Sequence, residues 1–123
     1  MNELHALSAV ELVAAYRART LSPVEATRAV LRRIAAWEPH LHATYALDAD
    51  GAMAQAEASQ ARWLKGTPHG PLDGVPAMIK ENIATRGVPM PLGTAATVLV
   101  PAEHDAPPAA RLREAGAVIL GKT

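Results

Sequence analysis

The chain has 123 residues, with 12 basic and 12 acidic side chains, five histidines and no cysteine. A balanced charge disfavours a nucleic-acid binder, because neutralising phosphates needs a basic excess, and the lack of cysteine excludes disulfides, thiolate metal sites and cysteine nucleophiles. No apolar stretch approaches the roughly 18 residues of a membrane span, and the N-terminus lacks the pattern of a signal peptide, so we expect a cytoplasmic protein.

The first part of the chain has the periodicity and the start signals of helices. A helix from Ser8 to about Arg19 opens with a capping box, in which a serine and the glutamate three residues later bond each other's backbone N–H groups. Ser22 opens a second helix in the same way, with proline at the first helical position. Because proline disfavours helix at the residue before it, we expect Pro39 to end this helix near Trp37.

A short strand and a third helix are predicted next. Residues 43–47 form a short run bounded by polar residues, which favours a strand. Asp48 or Asp50 is the expected N-cap of an alanine-rich helix that runs to about Leu64. Gly66 is expected to end that helix.

The second half of the chain has the order strand, long loop, helix, strand. Residues 75–79 form an apolar strand, and residues 86–104, with three prolines and two glycines, predict an irregular excursion. Asp105 is the expected N-cap of a helix that Gly116 ends, and residues 117–120 form a second apolar strand. This order implies a parallel strand pair with a right-handed crossover. The fold class is therefore α/β, with N-terminal helices followed by part of a mixed, mostly parallel sheet.

The last eight residues, 116–123, match the phosphate-binding pattern G-x-x-x-x-G-K-[ST]. The four variable positions are Ala, Val, Ile and Leu, which suit a buried strand rather than a loop whose N–H groups face phosphate. The pattern also follows a predicted helix, whereas a P-loop follows a strand. We therefore predict a strand here and no nucleotide site.

Lys80 is the residue that points most directly to chemistry. It is one of three lysines, against nine arginines, and it directly follows the strand at residues 75–79, where ligand sites of α/β sheets gather. A structural interpretation stays open, in which this lysine reaches solvent or pairs with Glu81. His40 and His42 have an H-x-H spacing but no third ligand in sequence reach, so we interpret them as surface or packing residues and predict no metal site.

Two segments of the chain carry long and specific motifs. Residues 70–83 read GPLDGVPAMIKENI, and residues 105–123 read DAPPAARLREAGAVILGKT. They resemble two blocks of the amidase signature family, G-P-L-x-G-[IV]-P-x-x-[IVL]-K-[DE]-N and D-A-x-x-x-x-R-L-x-x-A-G-A-[VI]-x-[LI]-G-K-T. Residues 12–25 are also similar to that family, so the resemblance covers nearly the whole chain. At residues 89–94, PMPLGT replaces a more usual Thr-Thr-x-Gly-Ser stretch, which leaves subfamily and substrate open.

The resemblance implies a serine amidohydrolase with a Ser–cis-Ser–Lys triad, in which Lys80 matches the lysine. In the family the neutral lysine takes a proton from a bridging serine, which activates the nucleophilic serine. The segment with both serines is expected beyond Thr123, and the three serines of this chain stand at helix caps or within a helix. Residues 1–123 are thus expected to be the N-terminal portion of a single amidase domain, inactive alone. A thin supply of large apolar side chains, with 27 alanines and no phenylalanine, agrees with this.

The implied function is hydrolysis of a carboxamide to a carboxylate and ammonia or an amine through a serine acyl-enzyme. A small-molecule amide is the expected substrate, with no cofactor and no nucleic-acid or membrane partner, and a homodimer of the full-length protein is left open. Two alternatives remain: the glutamyl/aspartyl-tRNA amidotransferase, whose A-type subunit is from the same family, and a non-catalytic remnant or interaction module. A Gly-Ser-Ser-Gly-like segment in the reading frame after Thr123 favours the amidase, whereas a stop codon favours the remnant.

Overall fold

Residues 3–123 are described by a computed structural model, in which four α-helices surround a two-stranded sheet. A single turn of 3₁₀ helix, Leu4–Ala6, precedes the first of them. Within the described range, no helix has both the length and the apolar character that crossing a membrane requires. The helices and strands are, in chain order, α1 (Ala9–Ala18), α2 (Pro23–Leu41), α3 (Ala49–Lys65), β1 (Pro76–Ile79), α4 (Pro107–Glu114) and β2 (Val118–Lys122).

The starts of α1 and α2 confirm the capping boxes. The Ser8 hydroxyl accepts a hydrogen bond from the Glu11 N–H at 3.3 Å, and the Glu11 carboxylate accepts from the Ser8 N–H at 2.8 Å. Ser22 and Glu25 repeat the arrangement at 3.1 and 2.9 Å. Each box satisfies backbone donors that a helix start otherwise leaves without partners.

The end of α2 differs from the prediction. Pro39 lies inside the helix, which continues to Leu41 and ends at His42 in the left-handed conformation (φ 47°). The missing proline N–H removes one hydrogen bond near a solvent-exposed helix end, where its loss costs least. Past that end, the Glu38 carboxylate accepts from the Thr44 N–H at 3.1 Å and so fixes the turn that follows the helix.

The strand predicted at residues 43–47 is reduced to a single bridge. Tyr45 pairs antiparallel with Lys122 of β2, through N–H to O hydrogen bonds of 2.7 and 2.8 Å. Ala46 then adopts a positive φ of 49°, which turns the chain and prevents a continued strand. Asp48, one of the two expected caps, is the N-cap of α3 and accepts from the Gly51 N–H at 2.9 Å.

The sheet confirms the predicted strand–helix–strand unit. β1 and β2 run parallel, with Ala77 opposite Ile119 and Ile79 opposite Lys122, and a bulge interrupts the register after Ala77. The structure therefore has the α/β fold class that the sequence predicts. Residues 86–104 form the expected excursion, closed at its base where the Gly87 N–H donates to the Ala102 carbonyl at 2.8 Å.

The predicted cap of α4 is wrong. Ala106 occupies the N-cap position and its side chain makes no capping hydrogen bond. Asp105 lies one residue before the N-cap, and its carboxylate accepts from the Arg86 N–H and from the Arg113 Nε, both at 2.7 Å. Proline at the first positions of α4 reduces the need for a capping acceptor, because it has no N–H to satisfy.

Both faces of the sheet are packed. Val118 and Leu120 lie against alanines of α3, whose small side chains let helix and strand approach closely. Ile79 and Ile119 lie on the other face, against Ala109 of α4. A third cluster joins α1 to α3 through residues Leu12, Val13, Tyr16, Ala26 and Trp63.

Candidate active site

Lys80 stands directly after β1, on backbone that the sheet holds in place. The Thr123 N–H donates to the Ile79 carbonyl at 2.9 Å, and the Glu81 N–H donates to the Thr123 carbonyl at 2.8 Å. These two hydrogen bonds extend the parallel ladder across Lys80. The preceding Ile79 is buried, whereas Lys80 is exposed. Among residues 3–123, no hydrogen bond or ion pair engages its side chain.

The structural interpretation that pairs Lys80 with Glu81 is not what the structure has. The Glu81 carboxylate accepts from the Leu92 N–H at 2.9 Å and so ties the strand end to the 86–104 excursion. The Lys80 ammonium group therefore has no partner among the described residues, while its backbone is fixed by the sheet.

The segment after Lys80 is a tight turn held from the neighbouring strand. The Ile83 N–H closes the turn onto the Lys80 carbonyl at 3.0 Å. The Lys122 ammonium group donates to the Ile83 carbonyl at 2.6 Å and to the Thr85 hydroxyl at 3.0 Å. Burial lowers the pKa of Lys122 from its ordinary value, and the charges of Glu81 and Asp105 partly oppose this effect.

The structure also shows what the segment with the phosphate-binding pattern forms. Val118–Lys122 is a fully buried strand rather than a loop. The lysine of the G-K-T sequence is 1% exposed and is turned to a carbonyl and a hydroxyl of its own chain. The prediction of a strand at this position is confirmed, and sequence reasoning missed only the role of the lysine. Its signal was a charged residue one glycine beyond the apolar run at residues 117–120.

A second residue that the sequence did not single out is Asp73, in the first motif block. Its carboxylate is fully buried and accepts from the Ser59 hydroxyl at 2.6 Å, from Arg62 at 2.7 Å and from the His69 N–H at 2.7 Å. Burial by itself raises the pKa of Asp73, but these hydrogen bonds outweigh it and hold that pKa below its usual range. The Trp63 indole donates to the Asp73 carbonyl at 3.1 Å. Asp73 thus joins the motif to α3.

Gly74 explains why the first block needs a glycine. Its φ is +83°, and a Cβ there would lie 2.6 Å from the Ser59 Oγ and 2.8 Å from the Pro23 Cγ. Its carbonyl accepts from the Tyr16 hydroxyl at 3.1 Å. The residues that lead into β1 are therefore packed closely on all three N-terminal helices, which fixes the direction of the strand that ends at Lys80.

None of the three serines is placed to act with Lys80. Ser8 and Ser22 cap α1 and α2, and Ser59 is buried in α3 with its hydroxyl donated to Asp73. The histidines with H-x-H spacing lie at the exposed end of α2. In the part of the chain that the structure describes, no three His, Asp or Glu side chains come together as a metal site.

Comparison with known proteins decides the family. The family model described as Amidase matches residues 25–123. The chain belongs to the amidase family. Among curated proteins, it is similar to the A-type subunit of the glutamyl-tRNA(Gln) amidotransferase of Acidothermus cellulolyticus, with 45% identity over 100% of this chain and 24% of that protein. The protein of the same name from Thermobifida fusca is 44% identical over 100% of this chain and 25% of its own length. The chain therefore spans no more than 25% of these two amidase-family relatives.

Solved structures of the same family are similar to this fold. The peptide amidase of Stenotrophomonas maltophilia superimposes with a TM-score of 0.86 and 34% identity, over 96% of this chain and 24% of that one. A bacterial aryl acylamidase of the amidase signature family gives a TM-score of 0.87 and 27% identity, over 99% of this chain and 26% of that one. The resemblance that the motifs carry is thereby confirmed at the level of family and fold.

Proposed function

We propose that this chain supplies the general base, Lys80, to a serine amidohydrolase that cleaves linear carboxamides of small molecules. One observation carries the proposal. The Lys80 side chain has no hydrogen-bond or ion-pair partner among the described residues, and its backbone is held by sheet hydrogen bonds at the end of the partly buried strand β1, within the K-[DE]-N block. The carboxyl end of a parallel strand is where α/β sheets place ligand-handling residues. Family membership supports the choice of reaction.

The proposed chemistry moves one proton along a chain of three groups. Neutral Lys80 accepts a proton from a bridging serine, and that serine accepts one from the nucleophilic serine as its oxygen attacks the amide carbonyl. As the C–N bond breaks, the leaving ammonia or amine takes that proton back from the Lys80 ammonium group through the bridging serine. Water then attacks the acyl-enzyme carbonyl and gives a proton to the same relay, which returns it to the oxygen of the nucleophilic serine as the carboxylate is released. Both serines are expected beyond Thr123, so we expect residues 1–123 alone to be inactive.

Substitution of Lys80 tests this assignment in the protein translated from the complete reading frame that contains these residues. General base catalysis contributes about 10²–10⁴-fold to a rate, so Lys80→Ala is expected to lower the turnover of amide hydrolysis by a factor in that range. Lys80→Arg is expected to be nearly as damaging, because guanidinium does not give up its proton. Lys65→Ala is the matched control, since Lys65 is an exposed lysine at the end of α3. Near-normal turnover of Lys80→Arg would contradict the base assignment.

A second candidate function is favoured by the relatives. The proteins from Acidothermus cellulolyticus and Thermobifida fusca are both named as the A-type subunit of glutamyl-tRNA(Gln) amidotransferase, at 45% and 44% identity. In that case Lys80 would act in release of ammonia that is passed to a tRNA-bound acid, and the protein would work with further subunits. The assay compares hydrolysis of free carboxamides by the protein alone with amide transfer in the presence of candidate partner subunits. Activity that appears only with partners supports this second function.

The reading frame itself tests the alternative without catalysis. A Gly- and Ser-rich segment within a few dozen codons after Thr123 is expected for either enzyme. A stop codon directly after Thr123 contradicts both and supports a non-catalytic remnant or an interaction module. Sequencing of the transcript across this position distinguishes the outcomes.

A further inference from the structure

A buried lysine lies behind the proposed base. Lys122 is 1% exposed, and its ammonium group donates to the Ile83 carbonyl at 2.6 Å and to the Thr85 hydroxyl at 3.0 Å. Thr85 is itself 2% exposed and also donates to the Ile83 carbonyl, at 3.2 Å. Burying a charged group is costly unless it is well hydrogen-bonded. An apolar residue would fill this space at lower cost, so the ammonium group is a feature that packing alone does not explain.

The acceptors of Lys122 belong to the turn that begins at Lys80. The Ile83 N–H donates to the Lys80 carbonyl at 3.0 Å, and the Ile83 carbonyl accepts from the Lys122 ammonium group. The backbone of Ile83 is therefore hydrogen-bonded to both lysines. Within residues 3–123, no other side chain from outside residues 80–85 donates to this turn. The residues on either side of Lys80 are also bonded to the residue that follows β2, because Thr123 donates to the Ile79 carbonyl and accepts from the Glu81 N–H.

We propose that Lys122 is a positioning residue for Lys80, acting through the turn at residues 80–85. This inference rests on the proposed function. Ile79 and Lys122 are opposite one another in the sheet, and period-two alternation puts the Lys80 side chain on the other face. Lys122 thus bonds to the turn from the face of the sheet opposite to the Lys80 side chain, and it does not contact the Lys80 ammonium group. A displacement of about 1 Å in a catalytic group costs about 10²-fold in rate, so loss of this support lowers turnover without removing any group that touches substrate.

The test is a series of variants in the complete protein, with kcat and KM measured for a carboxamide substrate. Lys122→Met keeps the length of the side chain and removes both hydrogen bonds, and we expect kcat to fall by about 10²-fold with little change in KM. Thr85→Val keeps the volume and removes one acceptor, which is expected to lower kcat by about tenfold. Thr85→Ser restores the hydroxyl and is expected to restore kcat to within about twofold of the parent.

Controls separate positioning from simple loss of stability. Val13→Ala removes buried apolar volume in α1, away from the sheet, and is expected to lower the melting temperature without changing kcat per folded molecule. If Lys122→Met folds and keeps the kcat of the parent, Lys122 is only structural and the proposal is wrong. If that variant does not fold, the Thr85 pair decides, because equal kcat for Thr85→Val and Thr85→Ser overturns the proposal. Lys80→Ala, measured in the same series, judges the proposed function separately.

Discussion

Removal of the Asp73 carboxylate is expected to destabilise the fold more than any surface change of equal size. The group is fully buried and accepts four hydrogen bonds, one from Ser59, two from Arg62 and one from the His69 N–H. Taking one partner from a buried ion pair costs about 3–5 kcal/mol, because the other charge stays behind without compensation. The Arg62 side chain is 22% exposed, so water can reach part of it. We therefore expect Asp73→Ala to lower the free energy of unfolding by about 3 kcal/mol, the low end of that range.

The fluorescence of Trp63 is the natural probe for this measurement. Its indole N–H donates to the Asp73 carbonyl, and the side chain is 8% exposed, so unfolding changes its surroundings strongly. Trp37→Phe removes the other tryptophan of residues 1–123, which is 45% exposed, and serves as the parent for urea unfolding of these residues. Asp50→Ala is the control, because Asp50 is an exposed aspartate in the first turn of α3. A loss below about 1 kcal/mol for Asp73→Ala would refute the reasoning, since surface substitutions stay within about 0.5 kcal/mol.

The same pair of proteins gives a pH dependence with a defined sign. Hydrogen bonding holds the pKa of Asp73 below its usual range despite burial. A depressed pKa in the folded state adds stability that is fully present above the unfolded value of about 4 and is lost as the pH falls through the folded value. The difference in unfolding free energy between parent and Asp73→Ala is therefore expected to be constant near neutral pH and to shrink below about pH 4. A difference that grows on acidification would contradict the assignment.

Two further predictions concern close approach and capping, both measured by urea unfolding. Gly121→Ala would place a Cβ 2.9 Å from the backbone of residues 46–47 where they cross β2, and overpacking of this kind costs about 1–3 kcal/mol. Gly70→Ala is its control because nothing lies within 4 Å of that position, and equal losses would count against a steric cause. Ser22→Ala removes the acceptor of the α2 capping box and is expected to cost about 1 kcal/mol. Ser22→Asp, which keeps an acceptor, should cost less, and the reverse order would contradict the cap.

The helix starts and the strand pair could be predicted because their causes lie close together in the sequence. Both capping boxes join residues three apart, and the parallel pairing follows from the order strand, helix, strand. The failures have distant causes. Asp105 is a good cap by type, but the Arg86 N–H and Arg113 compete for its carboxylate. Tyr45 pairs with Lys122, 77 positions later in the chain, and no local pattern shows that this pairing stops after one residue.

In the candidate site, too, the features with local causes could be predicted and those with distant partners could not. Chain order placed Lys80 directly after a strand, and the structure has it there, although only the last residue of that strand, Ile79, is buried. The partners of its neighbours could not be predicted, because Glu81 bonds to Leu92 in the excursion and Lys122 reaches back to the turn after Lys80. Asp73 was hidden for a similar reason. Its side-chain donors come from α3, and the sequence shows only an aspartate between a proline-rich loop and a glycine, which is ordinary turn composition.

The two lysines at the ends of the paired strands show why burial alone is a poor guide to the base. A titratable group with a perturbed pKa is often a sign of an active site, and by that measure Lys122 would be chosen. Its ammonium group, however, is bonded to Ile83 and Thr85 and is turned to its own chain. Lys80 has the opposite combination, a backbone fixed on both sides and an ammonium group that no described residue engages. A lysine becomes a base when desolvation favours its neutral form, and Lys80 is exposed among residues 3–123. The proposed assignment therefore requires a cover over Lys80 that the described residues do not supply, and under the further proposal Lys122 fixes the backbone from which Lys80 would act.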